Sequence, residues 1–382
     1  MLTSIVILTH NQLPLTHGCL ESIRRHTADY ELIVVDNGST DGTVAYLRSQ
    51  SDIIVHENNE NLGFAKGCNQ GFALSRGENV LFLNNDTIVT EHWLDNMLRV
   101  LHENERVGMT GPLTNYSSGH QRIPASYGSI AELDAFARRH CEDNAGCYMD
   151  VRRLVGFCLL VKRKLLREIG GFDERFGLGN YEDDDLCLRA LQAGYLLRIA
   201  NDSYIHHIGH ATMNSLQDFN LTSLLAHNRL KATEKWGGDI HQIIYRQEAA
   251  VSLCLVASNA GSVLEQTLVS VTDDVDEIVI VDLGSTDNTA EIAHRYDARV
   301  FSYRAQEDIT DAYRLAFDKA TKDYLFWLNP GEILNSAGLK RLSSLKFSLD
   351  GGQDMVLLSH DIGPGRRFLY RRAAGFRQED DL

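Results

Sequence analysis

At 382 residues, 43% hydrophobic and 23% charged, the chain is globular rather than disordered and long enough for about two domains. Its formal charge of −15 excludes the Lys and Arg surplus that general nucleic-acid binding requires. Seven cysteines, none in CxxC spacing, argue against a zinc site or disulfide framework and for free thiols in a reducing compartment.

The opening MLTSIVILTHNQ has no basic flank before its short apolar run. It reads as a buried strand, not a signal peptide. No later run approaches the ~18 apolar residues of a membrane helix. The expectation is a soluble, cytoplasmic protein whose membrane contact is at most peripheral; its oligomeric state is not legible. Leu15, Cys19, Leu20 and Ile23 follow at helical spacing, then the β-rich YELIVVDNGSTDGT and the helix start TVAYLRSQ. DIIVHENN predicts a third strand, GFAKGCNQGFALSRG a helix and NVLFLNNDTIV a fourth strand. Strands alternating with helices imply βαβ units and a mainly parallel sheet. Less regular sequence with one helix, SIAELDAFARRHCED, leads to VRRLVGFCLLVKRKLLREIGGFDERF, which resumes strand and helix. The helix EDDDLCLRALQAGY, the strand and loop LLRIANDSYIHHIGHAT and the helix LTSLLAHNRLKATEKWG complete this half.

Near Gln247 the strand and helix order restarts, and VVDNGSTDGT from Val34 is echoed by IVDLGSTDNT from Ile280. This is duplication at domain scale, not a short-period solenoid. In open parallel sheets ligands sit beyond the carboxyl ends of the strands. Thr9, His10 and Asn11, Asp36 and Asn37, and Asn84, Asn85 and Asp86 all fall there.

Taken physically, Asp36 can accept a ring N–H of a uracil-like base, or it, Ser39 or Asp41 can cap the next helix. Gly63, Gly67 and Gly71 allow close approach to a ligand or to the sheet, and Asn69 and Lys66 are candidates to face such a ligand. Asn84-Asn85-Asp86 offers one carboxylate to Mg²⁺ or Mn²⁺, or is a β-turn after a strand. Glu182, Asp183, Asp184 and Asp185 suit a helix N-terminus, yet four adjacent carboxylates repel, which raises at least one pKa and suits a general base. His206, His207 and His210 are potential metal ligands or strand residues with one ring buried. Trp93 and Tyr181 can stack on a sugar, with core packing the stronger reading for Trp93.

In order along residues 1 to about 240, VVDNGSTDGT, NLGFAKGCNQG, LFLNNDT, GGFDERF, YEDDDLCLRALQAGY and HHIGH resemble a family 2 glycosyltransferase with the GT-A fold. The resemblance implies an α/β, Rossmann-like, mainly parallel sheet flanked by helices, with residues 1–245 as a complete domain. It implies nucleotide binding by Asp36 with Thr9 and Asn11, and it draws His10, Asn37, Ser39, Gly63, Asn69, Asn84 and Asn85 into the donor set. A divalent cation, Mn²⁺ or Mg²⁺, would sit on Asp86 with His207 or His206. Asn84 departs from the usual Asp-x-Asp. Asp183 would be the general base, with Asp184 its rival and Glu182 beside it, and Asp185 a helix cap. The implied reaction moves a sugar with inversion from a nucleotide-diphosphate donor, UDP favoured, to a hydroxyl of a glycan, lipid-linked glycan, protein or small molecule.

Residues 246–382 resemble the same fold in part. Asp282 and Ser285 are kept, but Gly331 stands where the first copy has Asp86, and little sequence remains for an acidic helix or His pair. A partial, non-catalytic second GT-A-like unit is expected. The alternative for the whole chain is a nucleotide-sugar or carbohydrate-binding protein without turnover, which Asn84 and the degenerate copy favour. A nucleotidyltransferase would need a basic Gly-rich loop after the first strand, and a dehydrogenase a GxGxxG there; neither is present.

Overall fold

The computed structural model describes residues 1–209, 220–304, 309–359 and 367–376. His210 and Glu379 to Asp381 lie outside them. The chain divides into two compact units, residues 1–191 with 195–246, and residues 247–382 with 192–194.

In the first unit β1 (Thr3–Thr9), β2 (Tyr30–Asn37), β3 (Ile53–Asn58) and β4 (Asn79–Asn84) are parallel, in the order β3-β2-β1-β4. These strands are apolar runs because helices cover both sheet faces. α1 (Leu13–His26) buries Cys19, Leu20 and Ile23; Pro near its start and Arg24, Arg25 and His26 in its last turn suit its two ends. α2 (Thr43–Arg48) is short, and α3 (Phe64–Leu74) lies so close to β1 that a Cβ at Gly67 or Gly71 would come within 2.2 Å of Leu8 or Val6. Those glycines serve helix-to-sheet packing.

The sequence NVLFLNNDTIV folds as two strands. β4 ends at Asn84, Asn85 and Asp86 turn, and β5 (Thr87–Val89) leaves to pair elsewhere. After α4 (Trp93–His102) the sheet is extended by β6 (Val107–Thr114), β8 (Cys158–Lys162) and β9 (Leu196–His207), in the order β4-β8-β6-β9-β5, with β7 (Tyr148–Val151) on β9. α5 (Leu133–Asp143), α6 (Arg163–Ile169) and α7 (Glu182–Gln192) connect these strands, and helices Leu221–Trp236 and Ile240–Ile244 close the unit. Trp93 is fully buried beside Met97, Val100 and Ile205, and its indole N–H donates to Thr27 at 3.0 Å. Core packing is therefore its role; Trp93→Ala would cost about 3–5 kcal/mol.

The second unit repeats the parallel core as β12-β11-β10-β13, from β10 (Val251–Ala257), β11 (Glu277–Asp282), β12 (Arg299–Ser302) and β13 (Tyr324–Trp327). The antiparallel β15 (Arg367–Arg371) and β14 (Met355–Ser359) complete its sheet. The expected α/β class, mainly parallel sheets flanked by helices, is what the chain adopts. Among the described residues, no helix is long and apolar enough to cross a membrane.

Candidate functional site

Strand register assembles the site. Thr9 pairs with Asp36 and Leu8 with Asn84, so three strand ends reach one level. β5 then runs antiparallel to the end of β9 with Thr87 opposite His207, and the Ile208 N–H donates to the Asp86 carbonyl at 3.0 Å. A turn after the fourth strand and a histidine more than a hundred residues later thereby become neighbours.

Asp36 is fully buried. Its Oδ2 accepts the Ser39 N–H at 2.8 Å, while Oδ1 has no partner among the described residues. The loop around it is caged. Asn11, left-handed at φ 56°, accepts the Thr40 N–H on its side-chain oxygen at 2.8 Å and donates its own N–H to Ser39 Oγ at 2.7 Å. Asp41 accepts from the N–H groups of Leu13 and Thr43 at 3.0 and 3.1 Å, tying the starts of α1 and α2 together, while Gly42 holds the N-cap position of α2. Burying a carboxylate oxygen unpaired costs on the order of 1–3 kcal/mol, and the cage does not need it. The orphan oxygen is a ready acceptor for a ligand N–H.

Asp86 is 5% exposed, and His207 Nε2 lies 3.3 Å from its Oδ1. The His207 Nδ1–H donates to the Tyr116 carbonyl at 2.8 Å, which turns Nε2 toward the carboxylate. A carboxylate oxygen and an imidazole nitrogen placed this way can share a cation or a proton. Phe157 stacks on the imidazole at 5.0 Å and 13°, and Asn115 clamps the His207 backbone through both N–H and C=O. No group of three or more His, Cys, Asp or Glu is arranged to hold a metal ion among the described residues. Two protein ligands suit a cation that takes its remaining oxygens from phosphate and water. Asp86 and His207 fit that chemistry.

The acidic helix start sorts into different states. Asp183 accepts the Gly156 N–H on Oδ2 and the Asp184 N–H on Oδ1, both at 2.9 Å. Burial, then the charge of Asp184, push it up to about 6, partly offset by Arg153. Burial would raise Asp184 also, but the hydrogen bond from His241 at 2.8 Å and the guanidinium of Arg153 hold it below the ordinary value. Burial and the charge of Asp183 lift Glu182 well above the carboxylate range, leaving its buried Oε2 unpartnered. Asp185 is not a cap. It is fully buried against Arg189 and Lys235 at 2.8 and 2.6 Å and accepts the Trp236 N–H. Two left-handed residues, Asn180 and Tyr181, lead into α7. Fully buried Asn228 restrains that turn by donating to the carbonyls of Phe176, Gly179 and Asn180 at 2.8–3.1 Å.

Several expected donor contacts have other partners. The hydroxyls of Thr9 and Thr16 meet at 2.9 Å and the buried Asn85 amide donates to both, so Thr9 and Asn85 join β1, α1 and the β4 turn rather than face a ligand. Asn37 is 1% exposed, bonded to Asn58, Asn61 and the Gly63 carbonyl. Asn69 bridges to both backbone groups of Phe172 and to Glu174. Gly63, at φ 89°, lets the Gly177 backbone pass where a Cβ would come within 2.0 Å of its oxygen. His206 is not beside Asp86: alternation along β9 turns it to the Tyr127 hydroxyl at 2.6 Å, into an open cleft of about 620 Å³ lined also by Asn115, Arg122 and Pro124. His10 is tied by Nδ1 to the Asn37 carbonyl at 2.8 Å, with Nε2 reached only by the Asn11 amide at 3.4 Å. The Asn84 side chain is half-buried at the turn. Sequence reasoning missed Arg153, His241, Tyr116, Gly156 and Asn228, which belong to no motif and act through tertiary contact.

The profile of glycosyl transferase family 2 matches residues 4–170 and 252–379. The uncharacterized glycosyltransferase YfnE of Bacillus subtilis is 25% identical over 256 residues, 55% of this chain and 65% of that protein. The N-acetylglucosaminyl-diphospho-decaprenol L-rhamnosyltransferase of Mycobacterium tuberculosis is 29% identical over 238 residues, 54% of this chain and 76% of that enzyme. The mannosyltransferase PcManGT from Pyrobaculum calidifontis, solved with GDP-Man and Mn²⁺, superposes with a TM-score of 0.41 at 21% identity, over 54% of this chain and 56% of that one. The chain spans 65% of YfnE and only 23% and 33% of two other curated relatives it matches.

Proposed function

The chain belongs to glycosyl transferase family 2, and on that premise we propose that its first unit transfers a sugar, with inversion, from a nucleotide-diphosphate donor to an acceptor hydroxyl. One observation carries the reading. Three carboxylates stand in three different states: Asp36 and Asp86 at the carboxyl ends of β2 and β4, one with a buried unpaired oxygen and one facing His207, and Asp183 in the first turn of α7, held by the Gly156 N–H before β8 and pushed up to about 6.

Asp36 Oδ1 accepts the ring N–H of the base, which uracil, thymine and guanine carry and adenine and cytosine lack at that edge; a UDP-sugar is the favoured donor. Asn11 and Ser39 hold the loop that presents this oxygen. Asp86 and His207 would hold Mn²⁺ or Mg²⁺, which supplies charge neutralisation of the departing diphosphate. Asp183 takes the proton from the acceptor hydroxyl as that oxygen attacks the face opposite the nucleotide. A carboxylate near 6 is ionised at neutral pH and still basic enough to accept it. Asp184 is held by Arg153 and His241 and keeps its charge beside Asp183. Glu182 stays neutral. The name of the Mycobacterium relative supports a lipid-linked glycan among the acceptor classes. The second unit is read as non-catalytic.

A thermal-shift panel of UDP, dTDP and GDP and their sugars, each with Mn²⁺, Mg²⁺ or EDTA, tests the reading. Ligand at a hundredfold excess over its Kd adds about 2.7 kcal/mol. The expected result is a shift with one nucleotide that Mn²⁺ or Mg²⁺ enlarges, the metal-dependent part being lost in Asp86→Ala. A shift from no nucleotide or nucleotide sugar under any condition sinks the transferase reading and leaves a carbohydrate-binding protein without turnover.

A further inference from the structure

The turn after β11 rebuilds the cage seen after β2. Asp282 Oδ2 accepts the N–H groups of Gly284 and Ser285 at 3.2 and 3.1 Å. Asn259, left-handed at φ 45°, accepts the Thr286 N–H at 2.9 Å and donates its own to Ser285 Oγ at 2.8 Å. Asp287 pins Gly261 and Thr289 at 2.9 and 3.0 Å. The outcome is also the same: Asp282 is 8% exposed and its buried Oδ1 has no partner among the described residues. The loop is complete through the other oxygen, so the fold does not require the orphan, which costs on the order of 1–3 kcal/mol.

The end of β13 differs. Register brings Gly331 to the place of Asp86, so no carboxylate faces a metal there. Glu332 turns back to accept the Asn329 N–H at 2.8 Å and pairs with Arg367 at the start of β15. The Arg367 Nε is buried without a partner among the described residues. A guanidinium offers five N–H donors in a planar fork, and Glu332 uses one edge of this one. From β11 to β15 is three strand spacings, about 14 Å, comparable with the span of an extended nucleoside diphosphate.

We propose that the second unit binds a nucleoside diphosphate without a metal ion, Asp282 Oδ1 accepting a ring N–H of the base and Arg367 holding the phosphate. The ligand class rests on the reading of the first unit. The site holds nucleotide and does not transfer sugar, since no counterpart of Asp183 or of the Asp86–His207 pair stands beside it among the described residues.

The test is calorimetric titration of the full chain with UDP, dTDP and GDP, in EDTA and in Mn²⁺. In EDTA the Asp36→Asn chain should still bind one of the three, and the further change Asp282→Asn should weaken this about tenfold or more. Arg367→Gln should weaken the diphosphate about tenfold or more while leaving the parent nucleoside unchanged. Should Asp282→Asn unfold, Asp282→Ser, which keeps an acceptor for the loop amides, takes its place. If Asp36→Asn binds nothing in EDTA although the unaltered chain binds in Mn²⁺, the second site is refuted and the first stands. If the unaltered chain binds in neither, both readings fall. Binding unmoved by Asp282→Asn, or a nucleoside weakened as much as its diphosphate by Arg367→Gln, also overturns the proposal.

Discussion

At the ends of β2 and β11 the backbone is held by equivalent side chains: Asn11 and Asn259, Ser39 and Ser285, Asp41 and Asp287, with Asp36 and Asp282 each leaving one buried oxygen unpaired. Beyond that loop the units diverge. In the first, β4 is followed by β8, β6 and β9, and these bring His207 to Asp86 and Gly156 to Asp183. In the second, the sheet continues past β13 only through β15 and β14, and an Arg–Glu pair stands at the turn. The difference teaches that the loop proposed to hold the nucleotide is local, made by residues near in sequence and two adjacent strands. The residues proposed for metal and proton chemistry are brought together from afar and depend on strands the second unit lacks among its described residues.

The largest effects should come from breaking what only the first unit has. Asp183→Asn is expected to lower kcat by 10² to 10⁴ while donor affinity holds; transfer retained at even a tenth of the original rate removes Asp183 from the role of base. The pH profile gives an independent check. The working form is ionised, so activity should climb about tenfold per pH unit on the acid side and level off above the value of about 6. A flat profile between pH 5 and pH 7 contradicts that assignment.

Next in size is Asp86→Ala, with a loss of about 10² to 10³ in kcat and of metal-dependent donor binding. His207→Ala should cost about 10- to 100-fold in metal affinity, whereas His206→Ala should leave the metal dependence intact. Equal losses for the two histidines would mean that the β9 alternation has been misassigned.

Breaking what the units share should cost less. Asp36→Asn is expected to weaken the nucleotide about tenfold without changing kcat at saturation, measured as a rise in KM. A fall in kcat alone would separate Asp36 from base recognition. The smallest effect is reserved for Glu182→Gln. Burial keeps Glu182 neutral, so an amide of the same shape should change the rate by less than about twofold; a loss as deep as that of Asp183→Asn would transfer the base to Glu182.

Much of this was legible beforehand. Apolar runs punctuated by turn residues revealed the parallel strands, and repetition of GSTD revealed two similar units. The crowding of Glu182 to Asp185 pointed to a raised carboxylate, yet burial, which only the fold supplies, raises Asp183 and Glu182 more than the neighbouring charges do. Polar residues at strand ends were harder to read. Thr9, Asn37, Asn69 and Asn85 have the composition of a binding loop, yet they hydrogen-bond within the fold, and nothing in their order separates an amide facing a ligand from one facing a neighbouring strand.

What the sequence determined by itself was whatever depends on short range: strand and helix periodicity, the turns after β2 and β11, the acidic helix start and the repeated GSTD phrase. Tertiary structure alone decided which histidine faces Asp86, because side chains alternate along β9 and only the β5–β9 register shows which side is which. It decided equally that Asp184 is paired and Asp183 is not, since Arg153 and His241 arrive from distant segments. A carboxylate's charge state depends on what surrounds it in space, and the chain order does not list those neighbours.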